Sequence, residues 1–216
     1  TLRDLADQCR RCGDPPCRGA CPAGVDIPSF LDAVAEGDFH SAYKVVRESL
    51  LLPGACGAVC PSDVTCGSEC IRQVLGQSTV AVGEIHRYVG DIAVRQGWAA
   101  LEVPSECTGR RVAVIGAGPA GLACTSELLL RGHKVSVFDR AACAGGKLAS
   151  VIPAARIARG DLQAEIEATF GSVSPDRLTW RAGAPLGPGP RFSSWWRWCW
   201  CPRCCCWLRP RWQPNC

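Results

Sequence analysis

Eight cysteines standing in two sets of four constrain this chain more than any other feature. The first set, Cys9, Cys12, Cys17 and Cys21, has the spacing C-x2-C-x4-C-x3-C, with Pro22 directly behind it. The second set, Cys56, Cys60, Cys66 and Cys70, has the spacing C-x3-C-x5-C-x3-C, with Pro61 after Cys60. Thiols this dense hold disulfides, zinc or iron–sulfur clusters. The first residues, TLRDLADQ, carry no apolar stretch behind a basic start, so no secretory signal is read there and the chain is expected to be cytoplasmic. In that compartment thiols stay reduced, and the spacing points to metal. Structural zinc usually takes two C-x2-C knuckles at wider separation, and only Cys9 and Cys12 match that pattern. The x4 and x3 intervals and the prolines behind Cys21 and Cys60 look instead like cluster loops, so two [4Fe-4S] clusters are favoured and zinc stays the alternative. Soft thiolate sulfur suits iron in either oxidation state.

Composition matters mainly for what it excludes. The net charge of +4 comes from residues 191–216, a segment with five arginines, six of the eight tryptophans, six cysteines and no acidic residue. Without those arginines, 19 basic residues face 20 acidic ones, so the balance argues for neither nucleic acid nor membrane as a partner. No apolar run approaches the roughly 18 residues of a membrane span. The composition of residues 188–216 departs so far from globular usage that it is expected to be an unstructured or out-of-frame tail without function. The chain contains no methionine, even at position 1, and reads as a fragment.

Between the cysteine sets, Asp26 before Pro28 predicts a helix start. Gly37 and Asp38 then divide that helix from a second one with Phe39, Ala42, Val45 and Val46 on one side. After Cys70, the apolar residues Val82, Ile85, Val89 and Ile92 recur at helical spacing. His86 falls on or beside that face, where a histidine is ordinarily a satisfied core residue but becomes a ligand if a cluster lacks one cysteine. At Arg111 the texture changes to an apolar strand, a glycine turn, an amphipathic helix and a second strand. Gly116, Gly118 and Gly121 make G-x-G-x-x-G, in which the glycines permit the turn, the approach of a pyrophosphate and the packing of helix on strand. Asp139 closes the second strand, where a carboxylate can accept hydrogen bonds from ribose hydroxyls. FAD and NAD(P) both remain open on that motif.

Residues 9 to about 187 resemble the FAD- and iron–sulfur-containing oxidoreductases that include the glutamate synthase small subunit and the N-terminal half of dihydropyrimidine dehydrogenase. The residues that carry the resemblance are the two cysteine runs, GAGPAGL, the pair Gly145 and Gly146, and Ile152-Pro153-x-x-Arg156. The second cysteine run looks closer to the dihydropyrimidine dehydrogenase branch.

The resemblance implies an α + α/β fold: a helical domain at 1–104 with two [4Fe-4S] clusters, then a truncated Rossmann-like FAD-binding domain at 110–187. It implies that Cys9, Cys12, Cys17 and Cys70 hold one cluster. Cys21, Cys60 and Cys66 hold the other, completed by His86, where the family has glutamine or glutamate. An imidazole there would raise the potential, as histidine ligation does elsewhere. Cys56 is then a bystander, or the fourth ligand if His86 is not. FAD is implied on Gly116, Gly118, Pro119, Ala120 and Gly121, with its ribose on Asp139 and flavin-side contacts from Gly146, Lys147 and Arg156. The family's inserted NADPH domain is missing, so the fragment is expected to be inactive alone. Its intact parent is expected to pass electrons from NAD(P)H through FAD and the clusters to a partner subunit or domain. No catalytic acid, base or nucleophile is identified, because the cofactors carry the chemistry.

Two other readings belong to different classes. One is a non-catalytic iron–sulfur adaptor docking on a larger dehydrogenase; the other is a zinc-stapled regulatory module. His40 and His133 are expected on the surface, Cys107 and Cys143 are isolated, and Cys124 is expected in the core.

Overall fold

The computed structural model describes residues 1–183, and the tail segment 188–216 lies outside them. The described chain divides into two compact units, residues 1–101 with 145–173, and residues 102–144 with 174–183. Among the described residues, no helix is long and apolar enough to cross a membrane.

The first unit is helical. Its elements are α1 (Leu2–Asp7), α2 (Pro16–Ala20), α3 (Ile27–Glu36), α4 (Phe39–Arg47), α5 (Pro53–Val59), α6 (Ile71–Val74) and α7 (Val82–Gln96), to which residues 145–173 add two more. The predicted helix pair is present with the predicted punctuation. Asp26 caps α3 by accepting from the Ser29 N–H at 3.4 Å, Gly37 ends that helix at φ 84°, and Asp38 caps α4 through the Ser41 N–H at 3.0 Å. Ala42, Val46 and Tyr43 are buried on α4, while Phe39 and Val45 are half-buried. On α7, Ile85 and Val89 are fully buried and Val82 and Ile92 only partly.

Helices α5 and α7 cross with their backbones in contact. A Cβ on Gly90 would collide with the backbone nitrogen of Gly54 and lie 2.5 Å from its Cα. One on Gly57 would lie 2.9 Å from both the Cα of Arg87 and the carbonyl oxygen of Gly83. Both separations are well inside van der Waals contact, so only glycine fits at these crossings.

After Gly145 the chain adds α9 (Lys147–Ser150) and α10 (Arg159–Phe170) to this unit. The buried face of α10 consists of Leu162, Ile166, Thr169 and Phe170, together with the acidic Glu165. Glu165 accepts hydrogen bonds from the N–H groups of Gly54 at 2.7 Å and Ala55 at 2.8 Å, which begin α5.

The second unit is a parallel sheet in the order β1 (Arg111–Ile115), β2 (Lys134–Asp139), β3 (Leu178–Ala182), with α8 (Pro119–Leu130) connecting the first two strands. Val112 pairs with Val135 and Val135 with Leu178, so the strands lie in register. Helix α8 buries Leu122, Thr125, Ser126, Leu128 and Leu129. Cys124 falls beside that face and is half-buried rather than in the core, because the buried stripe runs through positions 122, 125 and 129. Asp139, at the end of β2, accepts from the Ala117 N–H at 2.6 Å and the Ala141 N–H at 2.7 Å. One carboxylate thus ties the glycine turn to the segment that leaves β2.

Two outcomes follow. Gly90→Ala forces α5 and α7 apart and is expected to lower the unfolding free energy in urea by about 1–3 kcal/mol, the usual range for overpacking. Asp139→Asn is expected to destabilise the sheet unit by about 1 kcal/mol at neutral pH, a figure reduced for its solvent exposure. The two backbone N–H donors hold the Asp139 carboxyl below the usual carboxylate range. Its contribution is therefore present above the unfolded pKa of about 4 and lost as pH falls through the lower folded value, so the two proteins should converge in acid.

Candidate functional site

The cysteines gather by position in the fold rather than by order in the chain. Cys9, Cys12, Cys17 and Cys70 open together onto one cavity of about 500 Å³, part of it open to solvent, with Cys66 on the same wall. Ile27, Leu31 and Val80 supply apolar lining. The Cys9-to-Cys12 turn is made by Arg11 in the left-handed region at φ 49°, a conformation that costs a non-glycine residue of order 1 kcal/mol or more. Arg11 is held there by Asp32 at 2.7 Å and Asp7 at 3.1 Å. Cys70 caps α6, and the neighbouring Arg72 donates to the carbonyl oxygens of Ser78 at 2.7 Å and Gln8 at 3.1 Å, tying this segment to the one that leads into Cys9.

Electrostatics sort the thiols in the same way. Burial pushes Cys17 up to about 11, assisted by Cys9, Cys66, Cys70 and Cys12. Burial also pushes Cys56 up to about 11, assisted by Cys60, Cys21 and Glu165. Cys60 is raised by burial and then by Cys21, and Cys66 by burial and then by Cys60 and Cys21. The two neighbourhoods are thus Cys9, Cys12, Cys17 and Cys70 on one side and Cys21, Cys56, Cys60 and Cys66 on the other, with Cys66 reaching both. None of the eight is in a disulfide. Among the described residues, no three Cys, His, Asp or Glu side chains converge tightly enough to grip a single metal ion. The first set lines a cavity instead.

His86 on α7 is only 6 % exposed, and its Nε2 has no hydrogen-bond partner. Its ring lies 5.8 Å from that of Phe30, and burial alone pushes its pKa down to about 4. The imidazole is therefore neutral at pH 7, the form that ligates metal. A buried nitrogen left without a partner is costly in a core, a state that Tyr43, Thr125 and Arg177 share among the described residues. His40, by contrast, is exposed on α4, and His133 is half-buried and hydrogen-bonded to the Thr108 hydroxyl at 2.6 Å.

In the second unit, Gly116 turns at φ 98°, and Gly118 is the N-cap of α8 with no side chain bonded to the exposed first N–H groups. A Cβ on Gly121 would collide with the carbonyl oxygen of Gly116, so the third glycine lets the helix sit on the turn. Pro119 and Ala120 begin the helix, whose open N-terminus presents N–H groups and partial positive charge to an anion. Asp139 already accepts two backbone N–H groups, and its remaining lone pairs are available to hydroxyl donors. Gly146, Lys147 and Arg156 belong to the first unit, with the Lys147 and Arg156 side chains exposed. Two residues in this stretch escaped the sequence reading. Arg159 donates to the carbonyl oxygens of Leu148 at 2.9 Å and Ile152 at 2.7 Å, closing the loop around α9. Glu165 escapes that reading because an acid on a helix reads as solvent-facing, although Leu162, Ile166 and Thr169 at helical spacing mark the face on which it sits.

Residues 2–98 match the family described as dihydropyrimidine dehydrogenase domain II, 4Fe-4S cluster, and residues 114–171 match the NAD(P)-binding Rossmann-like domain. The glutamate synthase [NADPH] small chain of Escherichia coli K12 is 40 % identical over 153 residues, covering 70 % of this chain and 32 % of its own. That of Azospirillum brasilense is 36 % identical over 164 residues, covering 76 % and 34 %. The NAD-dependent dihydropyrimidine dehydrogenase subunit PreT of Escherichia coli K12 is 34 % identical over 161 residues, covering 74 % and 39 %. Identity therefore does not single out the dihydropyrimidine dehydrogenase branch. The chain spans about a third of the length of these relatives. With its cysteine-lined cavity, its glycine turn and these two matches in the same order, the chain is similar over residues 2–171 to the iron–sulfur, pyridine-nucleotide oxidoreductase subunits that include the glutamate synthase small chain.

Proposed function

We propose that this chain is the electron-relay portion of an NAD(P)H-dependent oxidoreductase, carrying two [4Fe-4S] clusters and FAD and delivering electrons to a partner subunit or domain. The observation that carries the reading is the shared cavity of Cys9, Cys12, Cys17 and Cys70, three residues from one end of the cysteine pattern and one from the other. These four hold the first cluster. Cys21, Cys60, Cys66 and His86 hold the second, with the orphan Nε2 of His86 as the non-cysteine ligand. Clusters held there would supply one-electron storage and transfer, and a bound flavin would supply the exchange between hydride and single-electron chemistry.

The rest is the work of the chain's own residues. High thiol pKa values mean that loading the sites displaces protons from the cysteines. Apolar walls limit water at the first site, a lever on potential. The backbone from Gly116 through Gly118, Pro119 and Ala120 to Gly121 cradles the FAD pyrophosphate. Asp139 takes the ribose. A reducing, cytoplasmic setting fits eight thiols held outside disulfides. The relatives are subunits of oxidoreductases, which supports a protein partner as the destination of the electrons.

Anaerobically purified protein is expected to contain about eight iron and eight sulfide per chain, with visible absorption of iron–sulfur type. About two zinc and no sulfide overturns the reading, and clusters without any FAD uptake leave only an iron–sulfur adaptor. His86→Ala is expected to remove about half of the iron while Cys56→Ala removes none, measured as iron per chain; the reverse pattern assigns the fourth position to Cys56.

A further inference from the structure

The second cysteine neighbourhood depends on a residue far outside the cysteine pattern. Its helix α5 carries Cys56 and runs directly into Cys60, and the N–H groups that begin α5 are received by Glu165 on α10, more than 100 positions later. The carboxylate is 5 % exposed and both of its oxygens are used. Thr169 locks the same turn of α10 by donating its hydroxyl to the Glu165 carbonyl at 2.8 Å. Gly54 cannot be replaced by a larger residue without meeting this group, since a Cβ there would lie 3.2 Å from the Glu165 carboxylate. A buried carboxylate this well aimed at one backbone segment is a positional device, and it is also a charge placed close to the Cys56 thiol, whose ionisation it opposes.

We propose that Glu165 is a positioning residue for the second cluster, fixing α5 and, when ionised, lowering that cluster's reduction potential without touching the first. The proposal rests on the two-cluster reading above. An electron added to a cluster makes the site more negative, so a nearby carboxylate disfavours reduction and a neutral carboxyl does not. The balance is one electron from the dithionite titrant onto the cluster, with no proton taken up well below or well above the Glu165 transition and up to one proton from solvent onto Glu165 near pH 7. The groups that face Glu165 are Asp91 of α7, Arg47 and Tyr43 of α4, and Cys56 of α5. Burial raises the Glu165 carboxyl to about 7, against the pull of the Ala55 and Gly54 N–H groups, with Asp91 adding to the rise and Arg47 opposing it. The charge is therefore present in mild alkali and absent in mild acid.

The test is an EPR-monitored redox titration of the reconstituted full chain, with Cys12→Ser used to assign the first cluster's signal. Glu165→Gln keeps the shape and removes the charge. At about pH 8.5 it is expected to raise the second potential by a factor of about ten in the reduction equilibrium, about 59 mV for a one-electron couple. At about pH 6, where the native carboxyl is protonated, the two proteins should agree. Glu165→Asp keeps the charge and is expected to hold the native potential with a lower thermal midpoint. A second potential that Glu165→Gln leaves unmoved at both pH values, or a shift shared equally by both clusters, overturns the proposal while leaving the two-cluster reading intact. A wild-type chain that takes up no iron and sulfide overturns both.

Discussion

Backbone contact between α5 and α7 is the constraint from which most of the cysteine unit follows. Glycines at 54, 57, 83 and 90 remove the side chains that would hold the helices apart. The close approach buries His86 on α7 in the same core as Phe30, Ile85 and Val89. It also sets the direction in which α5 delivers Cys56 and Cys60. The cost of such a contact is that it gains little side-chain burial of its own, because glycine has none to offer. Stability must come from the flanks, where Phe30, Leu31 and Val34 on α3 and Val46 on α4 are buried almost completely. A scaffold built this way is exact but intolerant, and enlarging any of those glycines moves the segment that carries Cys56 and Cys60 or the helix that carries His86.

The two cysteine neighbourhoods draw on three separate stretches of chain, and each stretch is tied by polar contacts rather than by packing alone. Arg11 stands in a left-handed turn because two carboxylates from α1 and α3 hold its guanidinium. Arg72 reaches back across the sequence to Gln8. These contacts are half-exposed and individually weak. Their value lies in direction, since each fixes the backbone beside a thiol. The second unit uses the same economy: one carboxylate, Asp139, receives one N–H group from the glycine turn and one from the segment that leaves β2.

Much of this was legible in the sequence where a local rule governs. Asp26, Gly37 and Asp38 act through their own backbone neighbours, so the helix pair is found where its caps predict it. The glycine turn is equally local, and the role expected of Gly121 is realised as contact with the Gly116 carbonyl. Cysteine spacing points to the shared cavity of Cys9, Cys12, Cys17 and Cys70 only through the resemblance, because nothing in the linear pattern says that Cys70 returns to the first three. What stayed hidden is non-local or masked by residue type. β3 ends in Arg181 and Ala182, which lack the apolar character of β1 and β2. Glu165 looks like a surface acid until its helix is laid against the start of α5. The left-handed backbone of Arg11 leaves no mark in composition at all, since its cause is two ion pairs made by the side chain.

The link between Glu165 and α5 also orders events during synthesis. All four cysteines of the first cavity have emerged once Cys70 leaves the ribosome, whereas the clamp on α5 appears about 95 residues later, after β1, α8 and β2 have been made. At translation rates of roughly 5–20 residues per second, the delay is roughly 5–20 s. During that interval the α5 segment, with its half-buried thiols, lacks the carboxylate that receives its first N–H groups in the folded chain. The nascent chain thus passes through a stage in which the four cysteines of the first cavity are all present while the start of α5 still waits for its carboxylate, an order that follows from where in the chain a single acid was put.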